Sequence, residues 1–332
     1  MTNQELVKQT IAHKELNRVP YCIHLASSGF WKHADDLIKR YATPDIKKLL
    51  NDNIVDKWDG VKLAIGNSVF GTSAPWWDWH NPPAEYSVNF DAPSYLLKTR
   101  GTGDYDGFIE KIKRVKDVTG NYVTVLFFAA HIEKAQFARG LENFLADMAG
   151  DSEFTRKILA QIITKNMAAL DNVVGIEEID GILLGSDWGT QRDLLISYDM
   201  WKDYIAPGER QMYDFINENG KDVWIHSCGN IEKIIPDLIE LGVSVLNPIQ
   251  PECMDIYKIK ESYGIDLTFW GGISTQQTLP NGTPKDVVTE TRQVIEMMRK
   301  GGGYITSSSQ EIQDDVPFEN LCALIDTAKE YA

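Results

Sequence analysis

Six short apolar segments, with helical patterns between most of them, constrain this chain more than any other feature it contains. They are YVTVLFF (122–128), GILLGSD (181–187), DVWIHSC (222–228), VSVLNPI (243–249), LTFWGGIS (267–274) and YITSSS (304–309). Each has the length of a strand and reads as a nearly continuous apolar run, the pattern of strands covered on both faces. Stretches with helical apolar spacing lie at 152–174, 199–219, 231–241 and 284–300. Strands alternating with helices make parallel βα units. Local punctuation agrees: Thr283 precedes Pro284 at a helix start, and Gly301, Gly302 and Gly303 follow the same helix at its end.

A succession of such units predicts an α/β fold of the (β/α)8 TIM-barrel class. VPYCIHL (19–25) reads as the first strand, and the second is expected within 55–66. Residues 66–105 read as an irregular excursion rich in aromatic residues, Gly and Pro, with Trp76, Trp77 and Trp79 in it. A connection that long is expected to serve as a lid or cleft wall. Residues 1–332 are expected to form one barrel domain, a length such barrels routinely reach.

Charge excludes several function classes. With 33 Lys and Arg against 48 Asp and Glu, the net charge is −15. Phosphate backbones and anionic membrane surfaces need clustered cations, so neither nucleic acid nor membrane is an expected partner. No apolar run approaches the roughly 18 to 20 residues that cross a bilayer. The opening MTNQELVKQTIAHKELNRVPY lacks the apolar core of a signal peptide, so the cytoplasm is the expected location. Cys22, Cys228, Cys253 and Cys322 are widely spread, which favours reduced thiols or metal ligands over disulfides.

Barrel enzymes carry their chemistry where strands end. Here those ends supply Asp187, then His226 with Cys228, then Gln250 with Glu252, then Ser274 with Gln276, then Gln310 with Glu311. The sharpest of these is His226-Ser227-Cys228, because residues two apart on a strand face the same way. Nitrogen plus sulfur suits zinc, and a catalytic zinc takes three protein ligands and keeps one position open. The plain alternative is a buried histidine beside an apolar cysteine with no metal. Asp187, Glu252 and Gln310 are the candidate catalytic residues, the first two as acids and Gln310 at the last strand end. Asp187 also has a structural alternative, as the cap of a following helix. His24, His131, Trp188, Gln276, Trp76 and Trp77 are placed to line a substrate site. The glycine runs at 271–272 and 301–303 do not stand between a strand and a following helix, so they are read as turn and packing residues.

These residues also carry a family resemblance. GSDWGTQRDLLIS (185–197), WIHSCGNIEKIIPDLIELGVSVLNPIQPECMD (224–255) and FWGGISTQQTLPNGTP (269–284) resemble the uroporphyrinogen decarboxylase superfamily. The resemblance extends through HIEKAQFARGLENFLADM (131–148), GGGYITSSSQEIQDDVPFENL (301–321) and the opening NRVPY (17–21). The decarboxylase itself carries an arginine-rich segment after the first strand. In this chain that stretch is LASSGFW (25–31), with no arginine between Arg18 and Arg40. A polycarboxylate tetrapyrrole would be poorly held without those cations.

The resemblance instead points to the corrinoid-dependent methyltransferase branch, which carries a His-x-Cys pair matching His226 and Cys228. Zinc in that branch is usually completed by a later cysteine. Here SSSQEI (307–312) has Gln310 and Glu311 and no thiol, so Glu252, Asp187 or Glu311 would complete the site. The activity implied is methyl transfer between a small methylated substrate, such as a methoxylated aromatic, or a thiol, and a corrinoid. Nothing in the chain resembles the corrinoid-binding motif Asp-x-His-x-x-Gly, so the corrinoid is expected on a separate protein. A homodimer is the expected assembly. Two other readings stay open: a metal-free decarboxylase or lyase acting on a small acid, and a barrel that binds a ligand without catalysis.

Overall fold

The six apolar segments form strands. In a computed structural model, which describes residues 1–74, 104–127 and 130–332, β2 to β7 are Tyr122–Phe127, Gly181–Gly185, Asp222–His226, Val245–Ile249, Thr268–Ile273 and Tyr304–Ser308. Ahead of them β1 runs Val69–Thr72. Helices stand between successive strands, so the chain is α/β with the βα alternation expected of a barrel. No helix among the described residues is long and apolar enough to cross a membrane.

The described chain divides into two compact units. The first comprises Met1–Thr72, Ile109–Thr124 and Ser244–Ala332. In it β5 pairs parallel with β6, and β6 with β7, from Phe269 opposite Tyr304 to Ile273 opposite Ser308. The expected first strand, 19–25, is present as an extended segment. Tyr21 and Leu25 bridge to Thr306 and Ile312 in parallel, while the Tyr21 carbonyl accepts from Ser68 N–H at 2.8 Å. The segment thereby adds an eighth strand position, between β7 and the entry to β1.

The second strand lies later than its sequence suggested. Residues within 55–66 form the helix Lys57–Ala64 instead, because Asp56 caps it by accepting from Asp59 N–H at 2.8 Å. Val-Phe-Gly-Thr at 69–72, placed by sequence within the irregular excursion, makes the strand. Residues 75–103 of that excursion, with Trp76, Trp77 and Trp79, lie outside the described residues.

Helix punctuation in this unit follows the sequence. Thr283 accepts from Asp286 N–H and completes a capping box, with Pro284 opening the helix Pro284–Met298. Gly301, Gly302 and Gly303 then turn the chain with φ of 70, 76 and 65°, where a side chain would be strained. Buried Leu246, Phe269, Ile273, Ile305 and Leu324 fill the interior.

The second unit comprises Ser73–Phe108 and Val125–Val243. In it β3 pairs parallel with β4 in register, Gly181 opposite Asp222 through Gly185 opposite His226. Ile182, Leu184, Val223 and Ile225 are fully buried, as parallel strands covered on both faces require. Each such side chain contributes about 1.5 to 3 kcal/mol of burial.

Candidate functional site

The β3–β4 register sets the site. Gly185 lies opposite His226, and the ladder runs one residue further, with Ser186 N–H donating to the His226 carbonyl at 2.9 Å. Asp187 therefore arrives beside Cys228, whose backbone N–H donates to Asp187 Oδ1 at 2.8 Å. His226 Nε2 lies 3.3 Å from Cys228 Sγ and 3.8 Å from Asp187 Oδ1. Asp187, His226 and Cys228 each offer one donor atom, all within 4.8 Å of one another. All three are half-buried, so the group is reachable from solvent while two strand ends fix it. Asp187 does not serve as a helix cap; its side chain is turned onto the Cys228 backbone.

The donor set fits a divalent metal. Bonds of about 2.0 to 2.3 Å at a tetrahedral angle separate ligand atoms by roughly 3.3 to 3.7 Å. The nitrogen–sulfur separation of 3.3 Å and the nitrogen–oxygen separation of 3.8 Å lie close to those edges. A borderline-soft ion such as Zn²⁺ accepts this mixture of imidazole, thiolate and carboxylate.

Residues around the group hold its backbone in place. Ser227, between His226 and Cys228, is fully buried, and its Oγ accepts from Trp188 N–H at 3.0 Å. Two glycines bring the loops together. A Cβ on Gly189 would lie 2.5 Å from the Cys228 carbonyl oxygen, and one on Gly229 would lie 2.6 Å from Gly189 C and from Thr190 O. That close approach lets Asn230 N–H donate to Thr190 O at 2.7 Å. Trp188, expected to line a substrate site, is fully buried and packs edge-on against Trp201 with ring centroids 5.8 Å apart.

The second unit holds a residue that sequence reasoning passed over. Glu133 stands at the start of the helix Ile132–Arg139. Burial, and after it the charge of Asp187, push the Glu133 carboxyl up to about 7. The sequence signal was its place two residues beyond His131, just after a strand. His131 itself is fully buried, with Nδ1 3.0 Å from Oε1 of the equally buried Glu209. It does not join the metal-capable group.

The other expected site residues belong to the first unit. His24 packs edge-on against Trp270 at 5.1 Å, and its Nε2 lies 3.1 Å from Cys22 Sγ. Burial pushes the Cys22 thiol well up, so it stays neutral. Glu252 accepts from Ser274 Oγ and, at 3.3 Å, from the backbone N–H of Gln276, tying the ends of β5 and β6 together. Gln276 is exposed. Gln310 turns its Oε1 onto the N–H of Glu311 at 2.9 Å. The group formed by Asp187, His226 and Cys228 is the metal-capable one among the described residues.

Residues 98–331 match the sequence profile of a known family, described as Uroporphyrinogen decarboxylase (URO-D). The chain belongs to the uroporphyrinogen decarboxylase family. A relative within reach of this family member is the methylated-thiol–coenzyme M methyltransferase of Methanosarcina mazei, 24% identical over 136 residues. That match covers 41% of this chain and 34% of the relative, so it spans about a third of the relative's length. A solved structure, a methyltransferase from Methanosarcina mazei, superposes with a TM-score of 0.70 at 15% identity. It covers all of this chain and 99% of its own, which shows a shared TIM-barrel-type fold.

Proposed function

We propose that this URO-D family member is a methyltransferase that works on a zinc ion held by Asp187, His226 and Cys228. The methyl group would pass between a corrinoid on a separate protein and a small methylated compound, such as a methoxylated aromatic, or a thiol. The observation that carries this reading is the convergence of one nitrogen, one sulfur and one oxygen donor within 4.8 Å. Three protein ligands leave one position of a tetrahedral ion open for substrate, the arrangement of catalytic rather than structural zinc. The methyltransferase names of the two relatives support the reaction class.

Zinc, when bound, would act as a Lewis acid on a leaving oxygen or sulfur, or would hold a substrate thiol as its thiolate. The chain's own residues supply placement. His226 and Cys228 share one face of β4, and Asp187 is pinned to the Cys228 N–H. Asp187, rather than Glu252 or Glu311, is the third ligand in this reading. It takes the place of the later cysteine that SSSQEI (307–312) lacks.

The test has two arms. Metal analysis of the purified chain should find about one zinc per molecule, removable by a chelator. A Co(I) corrinoid protein mixed with the zinc-loaded chain should change its absorption spectrum when a methoxyarene or methylated thiol is supplied. A metal-free chain that performs the transfer at full rate would rule out the zinc site.

A further inference from the structure

The first unit holds a cavity of its own. The loop after β5, the helix Ile256–Tyr263 that follows it and the helix Pro284–Met298 bound a volume of about 580 Å³. That is far more than one ion fills, and it lies within the range of small-molecule sites, roughly 300 to 1,000 Å³. None of Asp187, His226 and Cys228 lines it.

Its walls are of two kinds. Glu252, Asp255 and Glu290 supply carboxylates, while Met254, Tyr257 and Val294 supply apolar and aromatic surface. No lysine or arginine among the described residues lines it. Asp255 is already committed: Oδ1 accepts from the N–H groups of Tyr257 and Lys258, each at 3.2 Å, and Oδ2 lies 3.7 Å from Lys258 Nζ. Glu252 and Glu290 converge instead on one residue, Ser274. Glu290 Oε1 accepts the Ser274 N–H at 2.9 Å, and Glu252 Oε1 accepts its hydroxyl. Two like charges are thus drawn together with no cationic side chain in the wall to offset them. The second oxygen of Glu252, Oε2, is buried and meets no donor among the described residues. A buried acceptor left that way is costly until a donor is supplied.

The donor is not an inorganic cation. These carboxylates form no group of three whose oxygens converge within 4.8 Å, whereas Asp187, His226 and Cys228 do. A hard ion needs such a shell of close oxygens. What fits is a broader cation, able to face two carboxylates and to rest on apolar surface. We propose that this cavity binds a small organic ammonium ion, with its charge toward Glu252 and Glu290 and its alkyl groups against Met254, Tyr257 and Val294. The Tyr257 ring adds the attraction of an aromatic face for a cation. Nothing in this inference depends on the zinc reading above.

Cys253 stands in the cavity wall and reports on its occupancy. Burial, and after it the charge of Glu252, push its thiol up, so alkylation is run in alkaline buffer, where more thiolate forms. The full chain is treated with iodoacetamide, an uncharged reagent, and modification of Cys253 and Cys228 is read separately by peptide mass spectrometry. Choline is the probe, and dimethylbutanol, its uncharged isostere, is the control. Choline should slow alkylation of Cys253 by about threefold or more at twice its dissociation constant, and leave Cys228 unchanged. Dimethylbutanol should protect much less. Saturation-transfer NMR on the choline methyl protons gives a second reading that does not depend on thiol reactivity. Glu290→Gln keeps an acceptor for the Ser274 N–H but removes the charge, and should abolish both signals. Equal protection by choline and dimethylbutanol overturns the inference, because the cavity would then select shape and not charge. So does full choline binding by Glu290→Gln, or the absence of both signals in the parent.

Discussion

Cys228 donates its backbone N–H to Oδ1 of Asp187 at 2.8 Å, so the strand end that carries the thiol also orients the carboxylate. Asp187→Asn keeps an acceptor oxygen there but removes the charge a metal would use. The expected outcome is zinc affinity lowered about 10- to 100-fold with the melting temperature nearly unchanged. Asp187→Ala removes the acceptor as well and should cost about 1 kcal/mol of stability in addition. Chelator competition and thermal melts on both variants check this. Parental zinc affinity in Asp187→Asn would show that another residue is the third ligand.

His226→Ala and Cys228→Ser separate a metal site from a packed pair. Serine is close to cysteine in size, yet it is rarely ionised near neutral pH and is a poor partner for zinc. Each change should strip the metal and reduce turnover by at least about a hundredfold while the fold persists, because strand-end residues are not the barrel core. If the pair were only packed, the ranking would invert. Activity per folded molecule would hold, and stability would fall by about 1 to 3 kcal/mol. Zinc content, melting temperature and turnover on the same samples decide the matter.

Strand positions were legible because burial on both faces leaves an apolar run that needs no context, as Ile182 to Leu184 and Val223 to Ile225 show. The His226–Cys228 pair was legible for a related reason, since a period of two is fixed by the backbone. Which acid stands beside the pair was left open among Glu252, Asp187 and Glu311 because it depends on the β3–β4 register, which periodicity does not encode. The helix Lys57–Ala64 was missed because a capping aspartate outweighed a short apolar pattern. Trp188 and His131 stand beside strand ends in sequence, but both are fully buried. Nearness along the chain says nothing about which face a side chain takes once the strand has ended.

The glycine contact between the two ligand loops offers a test of packing. A Cβ on Gly189 would stand 2.5 Å from the Cys228 carbonyl and 2.9 Å from Gly229 C, both backbone atoms that cannot rotate away. Gly189→Ala should therefore destabilise by about 1 to 3 kcal/mol and weaken zinc binding by pushing Cys228 aside. Gly175→Ala is the control, because a Cβ there meets nothing within 4 Å. That variant should stay within about 0.5 kcal/mol of the parent. Urea unfolding with parallel zinc titration checks both. An unchanged Gly189→Ala protein would mean that the loops can separate without cost.

Lys134 makes the stability of the second unit depend on pH. It is 4% exposed, and its Nζ donates to Asn166 Oδ1. Burial, opposed by the charge of Glu133, brings its ammonium group down to about 7. In the unfolded chain the group returns to the ordinary lysine value of 10.5. Between those two values the unfolded chain holds a proton that the folded protein lacks, so stability rises with pH across that window. Below about 7 both states are protonated and the cost of the buried charge is present in full. Lys134→Met removes the titration but leaves Asn166 without its donor, a penalty that does not vary with pH. The stability of Lys134→Met relative to the parent should thus fall as pH climbs from 7 to 9, by on the order of 1 to 2 kcal/mol. Urea unfolding of both proteins at pH 7, 8 and 9 measures it directly. A difference that stays flat across the three would show that Lys134 remains charged in the folded protein, held by its neighbours against the cost of burial.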